Sequence, residues 1–198
     1  MFKLMLKRFI LFSLIIQSTV SLTFFPLTLQ ASELEQGFQA FSSGNYEQAL
    51  RLWLPIAEKD NSDAQYNIGI LYMKGLGVEK NEKTAFVWYK RAAVNGNTDA
   101  MYNLGMMYNQ GRVIYRSPKD AVKWWKKSAE LGNAAAQFNL GVVYAYGRSV
   151  KKDTAEALKW WELAAKKGNN DARAALYRVY QEGLFDIKPD PQQAKRWK

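Results

Sequence analysis

The stretch Ala64-Gln65-Tyr66-Asn67-Ile68-Gly69-Ile70-Leu71-Tyr72-Met73-Lys74-Gly75 decides the fold, because its pattern returns at a fixed step. It recurs as Ala100-Met101-Tyr102-Asn103-Leu104-Gly105 with Tyr108 and Gly111, then as Ala136-Gln137-Phe138-Asn139-Leu140-Gly141 with Tyr144 and Gly147. A worn copy keeps Ala172, Leu176, Tyr180 and Gly183. Each copy lies 36 residues after the last. A strict period between about 20 and 50 residues marks a solenoid built from one supersecondary unit.

Hydrophobic spacing inside the unit is helical. Ala64, Ile68, Leu71 and Tyr72 form one stripe, and Ala85, Tyr89, Ala92 and Ala93 form the same stripe on a second helix, so each unit holds two helices. Asn81, Ser117 and Asp153 fall at N-cap positions of the second helices, where a side-chain oxygen takes up a free backbone N–H. Ser117 has Pro118 at the first helical position and Asp120 at N3, and Asp153 has Glu156 at N3, which strengthens the assignment. Gly75, Gly111, Gly147 and Gly183 close the first helices, and Gly96, Gly132 and Gly168 the second, as left-handed C-terminal caps require. Residues 45–59 match a second helix by register, with Glu33–Ser43 as its partner, and Asp190-Pro191-Gln192-Gln193-Ala194 repeats the cap pattern one residue late. Trp197 lands in the slot of Trp88, Trp124 and Trp160, while Tyr177 replaces the glycine of earlier copies. The last unit must therefore pack differently.

Composition narrows the chemistry. The chain of 198 residues is 48% hydrophobic and 14% aromatic, with no cysteine and no histidine. That removes cysteine nucleophiles, disulfides, a Ser-His-Asp triad and the common zinc ligands, so no metal and no cofactor are expected. Formal net charge is +10, which favours acidic partners. Lys3, Lys7 and Arg8 precede an uncharged run from Phe9 to Leu29, and Leu29-Gln30-Ala31 offers a cleavage site. Residues 1–31 therefore read as a signal peptide, or alternatively as an uncleaved N-terminal anchor. Either way the repeats are expected outside the cytoplasm, periplasmic or secreted, or anchored to the inner membrane.

The motif Ala-x-x-Asn-Leu-Gly-x-x-Tyr-x-x-Gly, followed by Ala-x-x-Trp-Tyr/Trp-x-x-Ala-Ala-x-x-Gly, closely resembles the Sel1-like repeat, a relative of the tetratricopeptide repeat. The resemblance covers about residues 45–198 and implies an all-α fold, a right-handed α-solenoid of antiparallel helix pairs acting as an interaction scaffold. The expected division is a capping helix pair at 32–61, repeats at 62–97, 98–133 and 134–169, and a partial, degenerate unit at 170–198. One departure stands out. The family's Gly-x-Gly-Val loop is present at Gly75-Leu76-Gly77-Val78, but Val113, Ser149 and Phe185 occupy the second glycine later, which leaves the loop shape there open.

Roles follow from helical phase. Mid-helix Gly69, Gly105 and Gly141 each cost about 1 kcal/mol relative to alanine, so close approach of the partner helix must offset them. Trp88, Trp124, Trp160, Tyr89, Trp125 and Trp161 share the alanine stripe and read as core rather than as a stacking platform for sugars or bases. A strip between the packed sides of the first helix is expected to line a concave groove: Asp63, Asn67, Ile70 and Lys74; Asp99, Asn103, Met106 and Gln110; Ala135, Asn139, Val142 and Tyr146. Asn67, Asn103 and Asn139 could form an amide ladder for an extended peptide, or could each tie down a neighbouring helix.

Lys90, Arg91, Lys123, Lys126, Lys127, Lys159 and Lys166 fall on the outward side of the second helices, a solvated face or a surface for an acidic polymer or lipid. Nucleic acid finds no module signature. Ser149-Val150-Lys151-Lys152 spells the Ser-x-x-Lys pattern of penicillin-interactive enzymes, and cysteine-rich members of the repeat family are linked to penicillin binding. The companion Ser-Asp-Asn and Lys-Thr-Gly elements are missing here. The expected function is a non-enzymatic exported scaffold that binds another protein or peptide in the groove. Binding of peptidoglycan or acidic polysaccharide by the basic face is the alternative, with β-lactam hydrolysis a distant third.

Overall fold

The computed structural model describes residues 32–111 and 113–198, so the expected signal peptide or anchor lies outside the described residues. Ten helices follow one another among them: α1 (32–42), α2 (Tyr46–Ala57), α3 (Ser62–Lys74), α4 (Glu82–Val94), α5 (Thr98–Gln110), α6 (Pro118–Glu130), α7 (Ala134–Tyr146), α8 (Thr154–Lys166), α9 (Asn170–Glu182) and α10 (Pro191–Lys195). Each packs chiefly on the helix before and the helix after it. Short connections make neighbours antiparallel, and the product is an all-α solenoid of helix hairpins. No described helix is long and apolar enough to cross a membrane.

The punctuation operates as the sequence predicts. Asn81, Ser117 and Asp153 accept hydrogen bonds from the backbone N–H of Thr84, Asp120 and Glu156. Gly75, Gly111, Gly147 and Gly183 cap α3, α5, α7 and α9 in the left-handed conformation. One backbone bond then closes each of the four hairpins after the first, from the N-cap N–H of Asn81, Ser117, Asp153 and Asp190 to the carbonyl of Tyr72, Tyr108, Tyr144 and Tyr180. The closing bond spans nine residues in the first three and ten in the last, where Asp186 is an added left-handed residue. At the second-glycine slot Gly77, Ser149 and Phe185 all have φ between 55° and 66°. Ser149 and Phe185 therefore keep the left-handed turn at a cost of about 1 kcal/mol each, which settles the loop shape at both positions.

The interior explains the mid-helix glycines. A Cβ on Gly105 would lie 2.4 Å from the Trp125 ring, on Gly141 2.3 Å from Trp161, and on Gly69 2.6 Å from Tyr89. A fourth pair, Gly37 and Trp53 at 2.2 Å, extends the device into the capping unit. With the Cβ gone, the indole reaches the backbone of the facing helix. The Nε1–H of Trp53, Trp125 and Trp161 donates to the carbonyls of Leu34, Tyr102 and Phe138 at 3.2, 3.3 and 3.2 Å. In the last unit Tyr177 fills the glycine slot, while the register, one residue late there, brings Lys198 to the aromatic slot. Both members of the pair have changed together.

Around each pair the small stripe residues are fully buried, among them Ala64, Ala85, Ala100, Ala121, Ala136, Ala157 and Ala172. Tyr89, Trp125, Trp160 and Trp161 are core residues as expected. Trp88 and Trp124 are only half-buried. They carry the Arg91 guanidinium at 4.8 Å and the Lys127 ammonium at 4.9 Å over their rings, a contact that covers the indole face.

Candidate functional site

The face made by the first helices carries two concavities in line. One, of about 320 Å³, lies between α7 and α9, with Phe138, Val142 and Tyr146 on one wall, Ala174, Ala175 and Arg178 on the other, and Phe185 of the last loop at its end. The second, of about 190 Å³, lies between α5 and α7 and is lined by Met106, Asn109, Val122, Asn139, Val142 and Arg148. Val142 lines both, so the two form one track across successive repeats. Tyr146 stands at the rim 59% exposed, with its ring edge against Phe185 at 5.2 Å and the Arg148 guanidinium over its face at 5.0 Å. Arg178 is held by Glu182 at 3.2 Å. The track therefore offers an apolar floor with aromatic and charged rims.

The expected strip is only partly open. Asp63, Lys74, Asp99, Gln110 and Tyr146 are exposed, whereas Ile70, Asn103, Met106, Asn139, Val142 and Ala135 are half-buried and Asn67 is buried. The reason is close nesting of the hairpins: Ile70, Met106 and Val142 each pack into the core of the following unit. The three asparagines are not equivalent rungs of a ladder. Burial raises the pKa values of the Tyr66 and Tyr89 hydroxyls, against a smaller lowering by the Asn103 amide. The Asn139 Nδ2–H donates to the Met106 sulfur at 3.6 Å. Asn139 thus reaches back to the preceding repeat, while Asn67 is buried and Asn103 half-buried.

Asp63 and Asp99 also have structural partners. Asn61, Asn97, Asn133 and Asn169 cap the first helices by accepting from the N–H of Ala64, Ala100, Ala136 and Ala172. The free amide of Asn97 donates to Asp63 at 2.9 Å and that of Asn133 to Asp99 at 2.7 Å. Each cap is therefore also a rivet to the unit before. Ala135 interrupts the series, and Asp171, one step further, lines the larger concavity.

A family model for the Sel1 repeat matches residues 32–61, 62–97, 98–133, 134–169 and 172–197. The chain belongs to the Sel1 repeat family. Among solved structures, a Sel1 repeat protein from Oxalobacter formigenes is 37% identical with a TM-score of 0.77, over 83% of this chain and 65% of that one. A protective antigen of uropathogenic Escherichia coli strains, with an SLR fold, is 28% identical with a TM-score of 0.75, over 85% of this chain and 37% of that one. Cysteine-rich protein B of Helicobacter pylori, 19% identical with a TM-score of 0.53 over 65% of this chain and 92% of that one, shares the fold. The chain thus spans about two thirds of the first relative and little more than a third of the second. A search of curated proteins by sequence returns no match. Sel1 repeat proteins are generally non-catalytic scaffolds for other proteins.

In this Sel1 repeat protein the basic residues of the second helices differ in exposure. Lys90, Lys123, Lys126, Lys127, Lys159 and Lys166 are exposed. Arg91 is half-buried, 3.7 Å from Asp60 and bonded to the Ala57 carbonyl at 3.4 Å. In the Ser-x-x-Lys stretch Ser149 is exposed, and Lys152 is engaged by Asp186 at 2.9 Å, so the lysine is not held for proton transfer from the serine. No cluster of acidic side chains suited to a metal occurs among the described residues.

Proposed function

We propose that the protein binds a segment of another protein across the track formed by α5, α7 and α9, with apolar side chains of the segment seated in the two concavities. The observation that carries this reading is Val142, which lines both concavities. Mostly apolar clefts of this kind, with a few polar groups at the edge, suit side-chain capture. Membership of the Sel1 repeat family supports the general class, a scaffold for proteins, and the open apolar walls support this choice of surface. Export is part of the proposal and rests on Lys3, Lys7, Arg8 and the run from Phe9 to Leu29.

Selection of random peptides against the full chain, followed by calorimetric titration of the winners, tests the reading. A carboxylate on the shared wall, Val142→Asp, should abolish binding, because burying an unpaired charge against a ligand costs several kcal/mol. Lys123→Glu on the outward face should leave it intact. Winners that bind Val142→Asp as well as the original chain would refute the assignment.

A further inference from the structure

Opposite the groove, the outward face of the second helices repeats with the same register and presents two kinds of side chain together. Lys90, Lys123, Lys127 and Lys166 are exposed and have no carboxylate partner among the described residues. Lys126 and Lys159 on the same face are paired, with Glu130 at 4.0 Å and Glu156 at 2.9 Å. Glu130 and Glu156 are thereby engaged, Glu58 and Glu162 interrupt the face, and the lysines outnumber the acids on it.

The second kind is aliphatic. Val87 is 56% and Val94 71% exposed on α4, beside Lys90, while Leu163 on α8 and Leu54 on α2 are 37% and 38% exposed. Val87, Lys90 and Val94 share one stripe, at positions i, i+3 and i+7 of a helix, and the same positions of the next second helix hold Lys123, Lys126 and Glu130. A soluble polyanion would be bound by the lysines and has no use for valines held in water. A lipid surface uses both. Lysine stems lie along apolar surface with the charged head at the phosphates, and short aliphatic side chains enter the headgroup layer.

We propose that this outward face docks on an anionic phospholipid surface, leaving the groove on the other side free for its protein ligand. The lysines supply attraction to the phosphodiester headgroups, and Val87 and Val94 supply shallow insertion. The proposal does not rest on the groove reading.

The test is co-sedimentation of the full chain with vesicles of phosphatidylcholine alone or with about one third phosphatidylglycerol. The apolar run from Phe9 to Leu29 is common to every variant, so it cancels in the comparison. A lysine near an anionic surface changes partitioning about fivefold, so Lys90→Glu, Lys123→Glu and Lys127→Glu together should lower binding to the anionic vesicles by about a hundredfold or more. Val87→Gln with Val94→Gln, which leaves the charge unchanged, should lower it by about tenfold. Thermal melts of the Lys90→Glu, Lys123→Glu and valine variants should match the parent, because those side chains are exposed, while Lys127→Glu also gives up its ammonium over Trp124 and should lower the melt slightly. Equal partitioning to the two vesicle types, or no loss in the triple variant, would overturn the proposal. Anionic-vesicle binding that the valine changes leave untouched and that soluble polyglutamate fully displaces would overturn it in favour of a plain polyanion site.

Discussion

Gly105→Ala isolates the interaction on which the stacking depends. Helix propensity alone favours alanine by about 1 kcal/mol, so a glycine with no structural duty should give a more stable protein when replaced. Here the new Cβ would lie 2.4 Å from Trp125 Cδ1 and Nε1, against an ordinary carbon contact of about 3.5–4.0 Å. The indole must swing away. Overpacking of that kind costs about 1–3 kcal/mol, and detaching the indole N–H from the Tyr102 carbonyl costs a further ~1–3 kcal/mol. After subtracting the propensity gain, the expected net loss is about 3 kcal/mol. For a chain of this size that is a fall in Tm of roughly 6–12 °C, read by circular dichroism. In a Trp125→Leu background the clash is gone, and Gly105→Ala should be neutral or stabilising by up to about 1 kcal/mol, a coupling that a double-mutant cycle measures. A higher Tm for Gly105→Ala in the parent, or the same loss in both backgrounds, would refute the reasoning.

Other outcomes follow from single side chains. Gln137 donates from Nε2 to the Ala129 carbonyl at 3.1 Å but leaves its Oε1 unpaired, whereas the equivalent Gln65 also has its Oε1 satisfied by Asn95 at 2.9 Å; Gln137→Met, copying Met101 of the middle unit, should therefore cost about 1 kcal/mol less stability than Gln65→Met. Burial raises the pKa of Tyr66 and Tyr89. The folded chain then keeps protons that the unfolded chain loses from about pH 10, so stability should fall above that pH by up to about 1.4 kcal/mol per unit for each tyrosine; urea melts of Tyr89→Phe should show a shallower fall. Asn103→Ala should cost about 1 kcal/mol of stability through its contact with Tyr66 and Tyr89. An unchanged melt for Asn103→Ala, with weakened peptide binding, would favour the ladder reading for that residue.

Phase and punctuation made the interior legible. Gly105 and Trp125 recur together and share the buried stripe, so their meeting could be inferred before any distance was known. The caps of the first helices were hidden, because Gly96-Asn97 and Gly132-Asn133 read first as the end of the preceding helix rather than the start of the next. Half of the larger concavity was overlooked for a related reason. Tyr177 breaks the glycine pattern, so the expected strip stopped at Tyr146, although one further step of the same period reaches Asp171, Ala175 and Arg178. How much of the strip stays open depends on how tightly Ile70, Met106 and Val142 nest in the next unit, which is a matter of interhelical distance and not of spacing along the chain. Ser149 and Phe185 in a left-handed turn were equally hidden, since the hairpin-closing bonds from Asp153 and Asp190 impose a conformation their side chains disfavour.

The most direct measurement is a map of chemical-shift changes on the ¹⁵N-labelled chain as a selected peptide is titrated in. Changes centred on Met106, Asn139, Val142, Tyr146 and Arg178, with Lys90, Lys123 and Lys127 unmoved, are the expected result. Changes centred on the outward lysines, or on the hairpin loops with Val142 silent, would contradict a groove built between successive first helices.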